Sequence, residues 1–505
     1  MKPESHVPVL EYTRQHPVLA VPGETRMLDH LPQLDGVRAI AVGLVLWSHF
    51  LPDYFKFRGY PPYGAFGVGL FFVLSGFLIT RILINCNLKI TAARDVGRPW
   101  SYVAWLLAAL VFLYNNPPTI NALGWQPALP AIKVGWQILG VALLGRVLYA
   151  IAINLWKYGR QYWQLFKQFY VRRFLRIFPL YYGVLAVLYF FNVTGFRARA
   201  SYSILYFTNY RFSYDEMQYT ERWIRRYFFG WKQEALNKAV WKVGPAAERH
   251  LWSLSVEEQF YIVWPLLILL CPRRLLLPVI IGTIALGPWW RSWNYIPGRL
   301  AHEWMMPGCL DLLAAGALLA LFSIPAIGLT RIREGFVQVC GLIGVPMIVA
   351  YIAQRWYVTA VAPSGKPYAI GYDWLDYGGA VYPVTALLGI WIIGTAAKGF
   401  RGPIGWFLTC PPIVYLGRIS YGVYVLHLMV PELLAYFFPH VFGGKDAQGN
   451  RLPREWWHLW TYTACSIGLA SLSWHFYEAP INRLKRYFEY DKRDATKAAT
   501  PAVSA

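Results

Sequence analysis

About twelve apolar runs, separated by polar segments, are the feature that most constrains the fold of this 505-residue chain. A helix needs roughly 20 mostly apolar residues to cross the hydrocarbon core of a bilayer. The runs therefore predict an all-α polytopic membrane protein with about twelve transmembrane helices. They lie at about 38–53, 66–84, 101–114, 131–153, 179–194, 251–271, 275–290, 307–323, 336–354, 378–397, 411–436 and 457–476.

The composition supports this class and excludes others. Charged residues make up 15% of the chain, whereas soluble domains carry roughly 25%. The formal net charge of +22 does not indicate nucleic-acid binding, because the basic residues lie between and after the apolar runs, where lipid headgroups meet them. The six cysteines form no CxxC pair, so we expect neither a metal site nor a disulfide framework.

The first apolar run carries two ionisable groups, Arg38 and His49, in the stretch LDGVRAIAVGLVLWSHF. Eleven residues are about three helical turns, so both side chains leave nearly the same helix face, some 16 Å apart along the axis. An ionisable group inside a membrane span is costly and therefore indicates a functional site. The structural alternative is that Arg38 reaches the headgroups and His49 bonds a neighbouring helix.

A cluster of arginines precedes the run at 179–194. Arg172, Arg173 and Arg176 are spaced three and four apart in FYVRRFLRIFPLYY, so they can converge on one patch of a helix. Guanidinium groups match phosphate oxygens in geometry and charge. The alternative interpretation is ordinary positive charge beside the cytoplasmic end of a span.

Two later helices carry polar stripes in apolar surroundings. Ser253 and Glu257 share one face of HLWSLSVEEQFYIVWP, and Ser420, Tyr424 and His427 share one face of GRISYGVYVLHLMV. Glu257 could be a catalytic acid or only a partner of the helix dipole. The second stripe could serve a site or only hydrogen bonding between helices. The glycine-rich run FGVGLFFVLSGFLIT favours close packing or close approach of a ligand.

These blocks, taken in order, resemble the acyltransferase-3 family of membrane acyltransferases. The first-helix block resembles the family's Arg–His motif, RRFLR resembles its RRxxR motif, and LWSLSVEEQFY, ISYGVYVLHL and WHFYEAPINRLKR resemble its later blocks. The resemblance extends from residue 34 to about residue 486. It implies an enzyme that moves an acyl group, usually acetyl, from cytoplasmic acyl-CoA to a hydroxyl of an extracytoplasmic or lipid-linked bacterial glycan.

The resemblance also implies roles for particular residues. His49 would be the general base or a transient acyl carrier, because an imidazole near neutral pKa suits either role, and Glu257 would orient it. The remaining site residues fall into two sets. The acyl-CoA site would contain Arg38, Arg172, Arg173 and Arg176; the acceptor side and its support would contain His427, Tyr424, Ser420, Ser253 and Asp35. We expect no bound cofactor and no metal, with acyl-CoA as co-substrate.

The same blocks give a domain organisation. Positive charge in the short loops predicts that both termini lie in the cytoplasm, and the resemblance implies the inner membrane of a bacterium. The gap before the arginine cluster is longer than is usual in the family and adds two apolar runs to a ten-span core, which could bind a membrane partner. The predicted segments are a cytoplasmic tail at 1–33, two spans at 34–84, an insertion at 85–165, the rest of the core at 166–486 with an outer loop at 195–249, and a disordered tail at 487–505.

One departure and one rival function remain. Cys309 stands where the family often has an arginine, so any role of that arginine is in doubt here. The rival is a non-enzymatic glycan or lipid transporter or flippase. Such a protein would show repeats of hydropathy, and none is visible; it also gives no reason for the arginine cluster.

Overall fold

The computed structural model describes residues 31–52, 63–91, 130–213, 248–294, 301–361, 381–443 and 454–488. Within these ranges the chain forms helices joined by short turns, and no strand occurs in them. The predicted all-α class is confirmed. The predicted run at 101–114 lies outside the described ranges.

The α-helices are numbered here in chain order. They are α1 (Pro32–Phe50), α2 (Tyr63–Thr91), α3 (Pro130–Phe190), α4 (Ala200–Ile204), α5 (Leu251–Leu270), α6 (Arg273–Trp293), α7 (Ala301–Trp304), α8 (Leu310–Phe322), α9 (Thr330–Val361), α10 (Val381–Lys398), α11 (Gly402–Thr409), α12 (Pro411–Leu426), α13 (Met429–Phe437), α14 (Pro439–Phe442), α15 (Trp456–Ser473) and α16 (Ala479–Asn482). Residues 208–213 are also helical. A 3₁₀-helix, Arg483–Phe488, ends the described chain.

Six helices in the described ranges are long and apolar enough to cross a membrane, and a bent pair makes a seventh. The chain is therefore a polytopic membrane protein. The bent pair is α12 and α13, which meet at 65°. The sequence predicted one continuous span at 411–436, so the structure differs here by a bend. The predicted spans at 38–53 and 457–476 coincide with the less apolar helices α1 and α15.

Helix α3 differs from its prediction. The runs at 131–153 and 179–194 were expected to form two separate spans, but they lie on one continuous helix of 61 residues. At 1.5 Å per residue such a helix is about 90 Å long, about three times the thickness of a bilayer core. The basic segment between the runs contains no proline before Pro179, so no proline interrupts the helix there. The arginine cluster therefore lies within a helix and not in a loop.

Helices α2 and α8 approach each other closely through reciprocal glycines. A Cβ atom on Gly76 would overlap the carbonyl oxygen of Leu313, and one on Gly316 would overlap the carbonyl oxygen of Val73. Small residues allow this contact, which membrane helices use because lipid provides no hydrophobic force between them. The glycine-rich run of α2 thus serves close packing.

We expect Gly316→Ala to lower the free energy of unfolding by about 1–3 kcal/mol, since the added methyl must displace the backbone of α2. Thermal unfolding in detergent would measure this. Gly468→Ala is the matched control, because nothing lies within 4 Å of a Cβ at that position, and alanine there should be neutral or stabilising by about 0.5–1 kcal/mol. Equal melting temperatures for the two variants would contradict the expectation.

Two apolar cores meet along α1. Leu34 and Val37, in its first half, belong to a core shared with α2, α5 and α8. Val45 and Phe50, in its second half, belong to a core shared with α3, α12 and α15. The two ionisable groups of α1 therefore lie in different surroundings, Arg38 near the first core and His49 within the second.

Candidate active site

A cavity of about 290 Å³ lies where the two cores meet. Its walls come from α1, α2, α3, α5 and α12, together with the 3₁₀-helix Arg483–Phe488. Five cationic side chains and one carboxylate line it: Arg38, Arg172, Arg173, Arg176, Lys485 and Glu257. The balance of charge on its walls is thus strongly positive, which favours an anionic ligand.

The arginines of α3 and α1 form the cationic part of this cavity. Arg38 is paired with the buried carboxylate of Asp35, one helical turn earlier. Arg172 donates from Nη1 to the carbonyl oxygens of Lys485 at 3.1 Å and Phe488 at 3.2 Å. The guanidinium of Arg173 lies over the ring of Tyr261, 4.5 Å from its centroid. The three arginines of α3 therefore line one cavity, as their spacing predicted, and Arg38 of α1 lines it with them.

Glu257 lies in the wall of the same cavity. Ser75 of α2 donates to its Oε1 at 2.9 Å, and Tyr261 donates to the Ser75 hydroxyl at 3.1 Å. Glu257 and Tyr261 are one turn apart on the same face of α5, so both side chains reach Ser75 of α2. The serine of the glycine-rich run is thus the polar partner of Glu257, in a helix whose glycines provide close packing.

Tyr424 links the cavity to the buried residues behind it. Its hydroxyl lies in a short hydrogen bond with Ser253 and donates to the carbonyl oxygen of His250 at 3.0 Å. Ser253 and Tyr424 both line the cavity, as does Ser420 one turn before Tyr424. The polar stripe predicted on α12 therefore faces the cavity through Ser420 and Tyr424.

His49 and His427 form a pair beyond Tyr424. Nδ1 of His49 lies 2.9 Å from Nε2 of His427, and the two ring planes are inclined by 25° with their centroids 4.9 Å apart. His427 is fully buried and occupies the bend between α12 and α13, where its Nδ1 lies 2.6 Å from the carbonyl oxygen of Tyr424. The break in the span thus places an imidazole ring against the end of α1.

The hydrogen bonds of this pair fix the tautomers. Nδ1 of His427 faces a carbonyl oxygen, which only accepts, so it carries a proton. A buried charge is costly, so we assign the neutral ring, in which Nε2 is an acceptor. Nδ1 of His49 then donates to it. A neutral His49 ring in this arrangement has Nε2 as its basic nitrogen.

The structure thus divides the predicted site residues into three groups. Eight line the cavity: Arg38, Arg172, Arg173, Arg176, Ser253, Glu257, Ser420 and Tyr424. His49 and His427 form the pair behind Tyr424, and Asp35 holds Arg38. The neighbour that bonds the His49 ring is His427, expected on the acceptor side, whereas Glu257, expected to orient His49, bonds Ser75.

Two residues at the site were missed from the sequence. The ring of His250 lies 4.7 Å from that of His427, and its Nε2 is 3.0 Å from the carbonyl oxygen of Val425. His250 stands three and seven residues before Ser253 and Glu257, so helical spacing could have placed it on their face. Lys485 gave no such signal, because it lies in a charged C-terminal stretch.

Comparison with known proteins decides the family. The family model described as an acyltransferase domain of the acyltransferase-3 type matches residues 31–475. This range contains every predicted site residue. The chain belongs to the acyltransferase-3 family. The resemblance of the sequence blocks is therefore confirmed, and the chain is a membrane acyltransferase.

Two curated relatives of this acyltransferase-3 protein are similar over most of its length. Peptidoglycan O-acetyltransferase OatA of Listeria monocytogenes serovar 1/2a (strain ATCC BAA-679 / EGD-e) is 23% identical, over 90% of this chain and 56% of its own. YrhL of Bacillus subtilis (strain 168), a proposed peptidoglycan O-acetyltransferase, is also 23% identical, over 93% of this chain and 57% of its own. The chain thus spans little more than half the length of these relatives. No solved structure is a significant match to it.

Proposed function

We propose that this acyltransferase moves an acetyl group from cytoplasmic acetyl-CoA to a hydroxyl of an extracytoplasmic or lipid-linked cell-envelope glycan. The observation that carries the proposal is a cavity lined by four arginines and Tyr424, with the His49–His427 pair next to Tyr424 but outside the cavity wall. The names of the two relatives support O-acetylation, with peptidoglycan as the first acceptor to test.

The cationic part of the cavity would bind the donor. Coenzyme A carries several phosphates, and guanidinium groups bind phosphate oxygens through charge-assisted hydrogen bonds. Arg38 lies on α1 and the other arginines lie on α3, so they would hold the nucleotide between two helices. The thioester arm would then extend towards Tyr424.

His49 would act as the general base. Its Nε2 takes the proton of the acceptor hydroxyl while the hydroxyl oxygen attacks the thioester carbonyl carbon. The C–S bond then breaks, the acetyl group stays on the sugar oxygen, and the proton passes from His49 to the departing thiolate. His427 orients His49 through the 2.9 Å hydrogen bond. The role of Glu257 as a second catalytic residue remains a prediction, supported by its place in the cavity wall.

The test is reconstitution of the purified protein in proteoliposomes with radiolabelled acetyl-CoA and a peptidoglycan fragment or its lipid-linked precursor. Label in the glycan, dependent on the protein, is the expected result. A transporter or flippase would move the glycan without labelling it, and that outcome would refute acetyl transfer.

We expect Arg176→Ala to raise the KM for acetyl-CoA about ten- to a hundred-fold, because one charge-assisted contact to a phosphate contributes about 1.5–3 kcal/mol. The kcat should change little, since Arg176 would not touch the reacting atoms. Initial rates against donor concentration would measure both values. Arg401→Ala is the matched control, because Arg401 is exposed at the start of α11. An unchanged KM for Arg176→Ala would favour plain positive charge beside a span.

A further inference from the structure

The C-terminal 3₁₀-helix Arg483–Phe488 lies against the arginine-bearing part of α3. Arg172 bonds the carbonyl oxygens of Lys485 and Phe488, which are three residues apart and so face the same side of the 3₁₀-helix. Just before this segment, Tyr477 donates to the carbonyl oxygen of Pro179 at 3.1 Å. These bonds fix the segment on α3 at two points.

The side chain of Lys485 enters the cavity from this segment. It is half-buried and lines the same wall as Arg172, Arg173 and Arg176. None of the ion pairs found in the described part of the chain includes Lys485. By contrast, its neighbour Arg486 is exposed and donates to the hydroxyl of Tyr487 at 2.8 Å. Two adjacent basic residues thus have different surroundings, and one of them lies in the donor cavity.

Burial and the positive charges of Arg176, Arg173 and Arg172 lower the pKa of Lys485 to about 7, against a smaller opposing effect of Glu478. Glu478 itself accepts a hydrogen bond from Ser473 at 2.9 Å. The other charged or titratable groups of the cavity come from α1, α5 and α12 and are Arg38, Glu257, Tyr261, Tyr421 and Tyr424. The three arginines repel the protonated side chain of Lys485. An anion bound in the cavity would attract that side chain and so oppose the repulsion.

We propose that Lys485 binds a phosphate of the anionic acyl donor, so that the C-terminal segment Arg483–Phe488 completes the donor site that α1 and α3 begin. This inference rests on the proposed function, because it assigns a further binding residue to the same cavity. The segment would thereby hold one ammonium group at the phosphate position, while Arg172 anchors the backbone at Lys485 and at Phe488.

The charge state of Lys485 then makes donor binding depend on pH. The group is protonated below its pKa of about 7 and neutral above it, and only the protonated form attracts a phosphate. Affinity contributed by Lys485 is therefore present at pH 6 and lost as the pH rises to 8. At one pH unit above the pKa, the fraction of protonated Lys485, and with it this contribution to the affinity, has fallen about ten-fold.

The test is titration calorimetry of coenzyme A into the full-length protein in detergent at pH 6 and pH 8. The phosphate monoester of the coenzyme also titrates, with a pKa of about 6, so variants are compared at the same pH. Lys485→Met should weaken binding about ten-fold at pH 6 and little at pH 8. Lys485→Arg, which keeps its charge, should bind about ten-fold more tightly than the wild type at pH 8. Arg486→Met is the matched control and should follow the wild type at both values.

The outcomes separate this inference from the proposed function. If the wild type binds coenzyme A and Lys485→Met binds it with the same affinity, the role of Lys485 is overturned and the proposed donor site still stands. If Lys485→Met does not fold, the comparison of Lys485→Arg with wild type decides, and identical affinities at pH 8 would overturn the proposal. Absence of coenzyme A binding by the wild type would instead refute the proposed donor.

Discussion

Replacing His49 with alanine is expected to lower the rate of acetyl transfer about 10²–10⁴-fold, the usual contribution of a positioned general base. The reason is the proposed role of His49 as general base, with its Nδ1 hydrogen-bonded to Nε2 of His427. His49 is not among the residues that line the donor cavity, so coenzyme A should bind the variant as it binds the wild type. Initial rates with labelled acetyl-CoA, together with calorimetric binding of coenzyme A, would measure the two effects.

The control for this experiment is His475→Ala. His475 is an exposed histidine whose Nδ1 lies 2.8 Å from the carbonyl oxygen of Ser471, and its loss should leave the rate close to that of the wild type. Retention of the full rate by His49→Ala would remove the catalytic assignment. A parallel loss of rate and coenzyme A binding would show that His49 supports the fold of the donor site and not the chemistry.

The second large effect is expected at a buried ion pair between α6 and α8. Arg291 and Asp311 are each 4% exposed, and Nη2 of Arg291 lies 2.6 Å from Oδ2 of Asp311. The same guanidinium bonds the carbonyl oxygen of Gly308 and lies 4.1 Å from the centroid of the Tyr382 ring. We expect Arg291→Met to lower the free energy of unfolding by about 3–5 kcal/mol, because the carboxylate of Asp311 is left buried without its partner.

The double variant Arg291→Met/Asp311→Asn distinguishes the lost charge pair from lost packing. Removing both charges should restore a large part of the stability, since the penalty arises from the unpaired carboxylate. Thermal unfolding of the four proteins in detergent completes the cycle. A double variant that is no more stable than Arg291→Met alone would contradict this account and indicate that the guanidinium acts mainly through its contacts with Gly308 and Tyr382.

This ion pair lies next to Cys309, which stands where the family often has an arginine. Cys309 is fully buried, and its thiol lies 3.2 Å from the carbonyl oxygen of Glu303. Arg291 bonds the residue immediately before it and Asp311 two residues after it. A guanidinium is therefore present next to the position where the family often has an arginine, but it comes from the preceding helix. The sequence showed only the missing arginine, because contacts between helices do not follow from the order of residues.

Much of the site could be predicted from helical spacing within single helices. Three groups of residues that share a helix face lie together in the cavity wall: the arginines of α3, Ser253 with Glu257 on α5, and Ser420 with Tyr424 on α12. Spacing works here because residues three, four or seven apart share a face of a helix whatever lies opposite. Their roles in donor binding and catalysis remain predictions.

Spacing failed where a helix does not continue or end as the pattern indicates. His427 was placed in a stripe with Ser420 and Tyr424, but α12 ends at Leu426 and the chain bends by 65° before α13. The bend turns the imidazole away from the cavity and towards His49. By contrast, α3 continues as one helix through the basic segment between two runs that were expected to form separate spans. Neither outcome is encoded by apolar periodicity, which is the same for a straight and a broken span.

The sequence by itself determined that this chain is a helical membrane protein of the acyltransferase-3 family, and that the polar residues within α3, α5 and the first part of α12 share a face. Only the tertiary structure decided that His427, 378 residues away, and not Glu257, bonds the ring of His49, and that Lys485 joins the arginines of α3. The physical reason is that residues within a helix are related by fixed backbone geometry, whereas partners on different helices are chosen by packing, and here by reciprocal glycines, a bend and a C-terminal segment held by Arg172.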